Sequence, residues 1–122
     1  MILADTSIWV DHFRKRDAEL QRQLLHNNIA MHPFIVTELA LGSLPDRHKT
    51  LVDLELLPHV RVAHINEVRS MIESRSLFRK GLGFVDAHLI AATLITPGTV
   101  LWSRDKQLRS TAHTMGISHA HP

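Results

Sequence analysis

The chain opens Met1-Ile2-Leu3-Ala4-Asp5-Thr6-Ser7, an apolar run that breaks abruptly into an acid and two hydroxyls, and a similar stretch returns late as Val100-Leu101-Trp102-Ser103-Arg104-Asp105. Runs this short cannot choose between strand and helix by periodicity, so their boundaries decide. Asp, Thr and Ser are favoured helix N-caps, and Ile8 to Phe13 mixes apolar and polar residues at helical spacing. Each run reads as a buried strand feeding straight into a helix, the pattern of a parallel sheet covered on both faces. In such a sheet the strand-to-helix turns share one carboxyl edge, where ligands bind. Asp5 and Asp105 fall on that edge, although each would also serve as a plain helix cap.

Between these strands the chain alternates. A charged helix is expected from Asp17 to Asn27 with Leu20, Leu24 and His26 on one side, then a short strand at Ile29-Ala30-Met31. His32-Pro33 opens a helix through Leu41, with Gly42 as a left-handed C-terminal cap. Asp46 to Leu57 reads as an amphipathic helix burying Leu51, Val52, Leu54, Leu56 and Leu57, and Val60-Arg61-Val62 as a strand. Asn66 to Phe78 is helical, with Val68, Met71, Ile72 and Leu77 inward; Arg79 to Gly83 is a basic, glycine-punctuated loop. Phe84 to Ile95 is apolar almost all round, hence a buried central helix, and Lys106 to Met115 forms the last one. Short strands alternating with helices give an α/β class: a three-layer α/β/α sandwich around a short parallel sheet, in a single domain over 1–122.

Composition narrows the setting. With 44% hydrophobic and 21% charged residues the chain can bury a core. No apolar run approaches a membrane span, and no basic leader precedes the first one, so a cytoplasmic location and no membrane partner are expected. The absence of cysteine agrees and excludes thiolate metal sites. The ten histidines follow no ligand spacing, and the terminal His119-Ala120-His121 reads as a frayed tail.

Four of the twelve acids stand apart by position. Asp5 and Asp105 end strands, Asp86 opens a helix too apolar to face water, and Glu38 sits in a short apolar helix without a cationic neighbour at helical spacing. Capping accounts for aspartates at helix starts but not for Glu38. Two like charges about 4 Å apart repel by about 4 kcal/mol at an effective dielectric of about 20, so four converging carboxylates must take up protons or hold a cation. An all-oxygen set suits Mg²⁺ or Mn²⁺, and such ions equip phosphodiester hydrolysis.

Asp5-Thr6-Ser7 after a first strand, Thr37-Glu38 on a short helix, Phe84-Val85-Asp86-Ala87 continuing through Leu89-Ile90-Ala91-Ala92, and Leu101-x-Ser103-x-Asp105 together resemble the PIN domain, in particular the VapC ribonuclease toxins of toxin–antitoxin pairs. The resemblance runs from Ile2 to about Gly116. It implies a metal-dependent endoribonuclease with Mg²⁺ or Mn²⁺ bound chiefly by Asp5, Asp86 and Asp105, and Glu38 as the fourth catalytic and metal-site acid, binding the ion through water or helping to activate that water. Ser7 and Ser103 match hydroxyls that orient the carboxylates, with Ser103 standing where threonine is more usual. Structured cytosolic RNA as substrate, a small antitoxin as partner and a homodimer are the further implications. Arg79, Lys80 and Arg104 are the candidates for RNA phosphates, with Lys106 and Arg109 also beside Asp105. Trp102 is expected in the core, while Trp9 has no assigned role. The alternative is a catalytically inactive module of the same fold that binds RNA or protein.

Overall fold

The computed structural model describes residues 1–122. Its elements follow in the order β1 (Ile2–Ala4), α1 (Thr6–Arg14), α2 (Ala18–Leu25), β2 (Ile29–Ala30), α3 (Pro33–Ala40), α4 (Arg47–Glu55), α5 (Ile65–Ser74), α6 (Phe84–Ile95), β3 (Val100–Trp102) and α7 (Lys106–Thr114). The three strands form one parallel sheet in the order β2-β1-β3, with Leu3 beside Ala30 on one side and Leu101 on the other. Single parallel bridges, Met31 to His59 and Leu101 to Ser118, widen it at both edges. This is the expected α/β architecture of helices around a short parallel sheet. Helix α1 packs on β1, α2 on β2 and α6 on β3.

The central strand explains the arrangement. Ile2, Leu3 and Ala4 are all buried, as parallel strands covered on both faces must be. Around them one core of 27 buried apolar residues runs through Ile8, Ile35, Leu89, Ile90, Leu101 and Leu108. Trp102 lies in it as expected, and Trp9, undecided from sequence, is also core at 3% exposure. No helix is long and apolar enough to cross a membrane.

Several local expectations change. Gly42 is not left-handed: α3 stops at Ala40 with a right-handed cap at Leu41, and the Arg47 guanidinium donates to the carbonyls of Ala40 and Gly42 instead. A cation on the next helix thus satisfies the orphan carbonyls that a glycine cap would have served. The strand expected at Val60–Val62 shrinks to the bridge at His59, because the Arg61 N–H turns away to Thr96 Oγ1 at 2.9 Å and Val62 is left exposed. Helix α4 buries Leu54 but exposes Val52 and Leu56, since apolar residues so closely spaced cannot share one helical face. In α2 Leu20 is buried as expected, and it is joined by Gln23 rather than by His26, which is exposed. The helix expected to reach Phe78 ends at Ser74, yet Leu77 still packs inward from the turn beyond it. The terminal histidines are not frayed: the His119 N–H donates to the Leu101 carbonyl at 2.8 Å, and both rings stand edge-on to Trp102.

One buried group makes stability depend on acidity. The fully buried His32 caps α3, its Nδ1 accepting the Phe34 N–H at 3.0 Å, while its Nε2 has no partner. Burial, with His88 and His59 nearby, lowers its pKa from 6.5 to about 4. The folded pKa lies below the unfolded one, so the unfolded chain takes up the proton first, and this contribution to stability is lost as pH falls from 6.5 towards about 4. Urea unfolding at successive pH values is expected to show that fall, and to show it shallower in His32→Asn, whose amide oxygen can still cap the helix. Parallel slopes for the two proteins would contradict the assignment.

Candidate active site

The parallel register of β1 and β3 sets the site. Ala4 pairs with Trp102, so the next residues, Asp5 and Ser103, emerge together at the carboxyl edge, and the Asp5 N–H donates to the Trp102 carbonyl at 2.9 Å. Asp5 is only 5% exposed. Its Oδ1 accepts from the Ser7 hydroxyl at 2.5 Å and from the Ser7 and Ile8 N–H groups at 3.0 and 3.4 Å; its Oδ2 accepts from the Ser103 hydroxyl at 2.5 Å. Burial pushes the carboxyl upward in pKa, and the Ser103, Ser7 and Ile8 donors work against that rise.

Both hydroxyls also relay the loop before α7 to this carboxylate. The Arg104 N–H donates to Ser7 Oγ and the Asp105 N–H to Ser103 Oγ, each at 3.0 Å. Asp105 itself caps α7, its Oδ1 accepting the Leu108 N–H at 2.9 Å. Asp86, half-buried in the first turn of α6, accepts the Gly83 N–H at 2.9 Å. Burial raises its pKa, and the charges of Asp105 and Glu38 raise it further. Glu38 is exposed on α3 and accepts the Thr6 hydroxyl at 2.7 Å. The structure thus ties Asp5 to Ser7, Ser103 and the Asp105 loop, ties Glu38 to Thr6 at the start of α1, and brings Asp86 within electrostatic range of Asp105 and Glu38.

None of these four carboxylates takes part in an ion pair, whereas Asp11, Asp17, Glu19 and Asp53 all do. An all-oxygen, negatively charged donor set without a cationic partner fits a hard divalent ion. As the side chains stand, no three His, Asp or Glu groups close on a single point at metal-binding distance.

The basic candidates separate. Arg104 sends its guanidinium to Asp11 at 2.9 Å and Asp17 at 2.5 Å, and stacks 5.6 Å from the Trp102 ring centre. Its charge is already paired, so it is poorly placed to meet a phosphate. Arg79 and Lys80 are exposed on the loop before α6. That loop lies against α7: a Cβ on Gly81, which has a φ of +73°, would sit 3.2 Å from Gln107 Cγ. The Thr6–Glu38 bond and the Arg104 ion pairs were not anticipated, because both join elements distant in sequence and no local pattern marks them.

Ser103→Ala removes a buried donor from Asp5 and the acceptor of the Asp105 N–H, so a loss of about 1–3 kcal/mol in urea unfolding is expected, with Ser103→Thr retaining most of the stability. An unchanged midpoint for Ser103→Ala would show that these bonds do not hold the site.

A family model described as the PIN domain matches residues 2–114. Two relatives, each named Ribonuclease VapC32, from Mycobacterium tuberculosis strains CDC 1551 / Oshkosh and ATCC 25618 / H37Rv, are each 38% identical over 120 residues, covering 98% of this chain and 97% of theirs. A match at that level along almost the full length of both chains leaves no large part of the fold unaccounted for, and the chain belongs to the PIN-domain family, among its VapC-type ribonucleases.

Proposed function

We propose that the chain is a divalent-cation-dependent endoribonuclease and the toxin of a toxin–antitoxin pair. The observation that carries this reading is the set of four carboxylates without ion-pair partners on the carboxyl edge of the sheet and the helices beside it. Asp5, Asp86 and Asp105 would hold Mg²⁺ or Mn²⁺, with Glu38 as the fourth acid. When bound, the ion would lower the pKa of a water and stabilise negative charge on the phosphodiester. Ser7 and Ser103 keep the Asp5 carboxylate in one orientation by donating to both of its oxygens. Thr6 holds one oxygen of Glu38, which leaves the other free to bind the ion through water or to accept a proton from the water that the ion would activate. The relatives' printed name, ribonuclease, supports RNA as the substrate, and the resemblance to VapC toxins implies a cognate antitoxin as the partner. A homodimer and a cytoplasmic location complete the reading.

An inactive module of the same fold draws on one observation, that no three acids yet close on a single point. The two readings part on metal. Cleavage of total RNA with added Mg²⁺ or Mn²⁺ is expected from wild type and not from Asp5→Asn or Asp86→Asn, and Glu38→Gln is expected to lose about 100-fold or more. Activity surviving both aspartate changes would end the proposal.

Stability supplies a separate check. Because the folded pKa of Asp86 is raised, its contribution falls as pH rises from 3.8 through that folded value, and it is unfavourable at neutral pH. In EDTA, Asp86→Asn is expected to melt no lower than wild type. Added Mn²⁺ is expected to raise the wild-type Tm more than that of the variant. Equal responses to Mn²⁺ would favour the inactive module.

A further inference from the structure

The face of α7 that begins at Asp105 has a charge pattern the four acids do not explain. Lys106, Arg109 and His113 are exposed and stand three and four residues apart, so they share one face of the helix. Neither Lys106 nor Arg109 is in any ion pair. Together with Ser110 they line one side of a groove of about 750 Å³ into which no Asp or Glu opens.

The opposite wall is the C-terminal strap, and it is fixed in place. Ser118 bridges to Leu101, the His119 and His121 rings stand against Trp102, and Arg104 Nη2 lies 3.4 Å from the Pro122 carbonyl. Of the acids around it, Asp105 caps the same helix beside Lys106 and has no ion pair, while Glu19, Asp11 and Asp17 have arginine partners. Glu19 approaches His119 and His121 from α2 at 3.7 and 3.8 Å, with its other oxygen held by Arg22, while Asp11 and Asp17 are taken by Arg104. The groove therefore holds two cations, Lys106 and Arg109, that no ion pair takes up, and the helix that carries them starts at the cap Asp105 of the candidate active site, which does not itself line the groove.

We propose that this groove is the track for the RNA backbone, with Lys106 and Arg109 binding successive phosphates of a single strand as it leaves the cleavage site. The proposal rests on the endoribonuclease reading. A polyanion is the occupant that this charge fits. Lys106 to His113 covers about 10 Å of helix, enough for more than one phosphate contact. Arg104, the obvious cation by sequence, acts instead as the brace between the strap and the first two helices.

The test is binding of a fluorescein-labelled single-stranded oligoribonucleotide of mixed sequence, measured over a series of salt concentrations. Wild type is compared with the double variant Lys106→Gln/Arg109→Gln. A charge-matched control, Arg61→Gln/Arg75→Gln, replaces two exposed cations without ion pairs in the loop before α5 and at its C-terminal cap. For the α7 variant the slope of log Kd against log salt is expected to shrink by about 1.4, since each single-strand phosphate contact contributes about 0.7. The control is expected to keep the wild-type slope, and thermal melts of all three proteins are expected to coincide.

Equal slopes for wild type and the α7 variant, in a protein that binds and cleaves RNA, overturn the track and leave the ribonuclease reading standing. Equal losses in both double variants overturn it as well, because net charge alone would then explain them. A changed sedimentation coefficient in the α7 variant would make the groove a protein contact and also overturn it. A wild type that neither binds nor cleaves RNA overturns both readings.

Discussion

A carboxylate 95% removed from solvent with no cation beside it is the constraint on which the rest of the site depends. Burying such a charge costs several kcal/mol unless donors replace its water. Asp5 obtains them from two directions, Ser7 on its own helix and Ser103 on the neighbouring strand. The second is available only because β1 and β3 run parallel and in a register that makes Asp5 and Ser103 neighbours. Sheet pairing, helix capping and the geometry of the acidic edge are thus one structure. The two hydroxyls, each accepting a backbone N–H from the loop before α7, couple Asp5 to the position of Asp105.

The chain's acids divide by what they meet. Asp11, Asp17, Glu19 and Asp53 have arginine or lysine partners within 3 Å. Asp5, Glu38, Asp86 and Asp105 have none, and are held only by hydroxyls and N–H groups. Donors of that kind orient a carboxylate without cancelling its charge. Folding therefore assembles negative charge that it does not neutralise, and the pKa of Asp86, raised first by its burial, is raised further by the charges of Asp105 and Glu38. Strain of this sort is common where stability is given up for chemistry.

The cations divide in the same way. Arg104 sits between Ser103 and Asp105 in sequence, yet its side chain faces α1 and α2, where two carboxylates and the Trp102 ring hold it. Lys106 and Arg109, one helical turn along, have no such ties. Adjacency in the chain therefore misleads about which charge faces a substrate, because a strand-to-helix turn sends successive side chains to different sides.

Much of the fold was legible in the sequence. Two apolar triplets broken by capping residues, with amphipathic segments between them, force a parallel sheet with a shared carboxyl edge, so Asp5 and Asp105 could be placed together without coordinates. Glu38 and Asp86 stood out because each is an acid in an apolar helix. Tertiary structure decided what depends on contacts between distant residues: the 98-residue separation between Asp5 and Ser103, the Thr6–Glu38 bond, the Arg47 cap that replaced a glycine, and the strap that the last residues form over Trp102. Local patterning reports which way a side chain must face to be buried. It does not report which partner a polar group will find, because hydrogen bonds and ion pairs are chosen only after packing has brought the elements together.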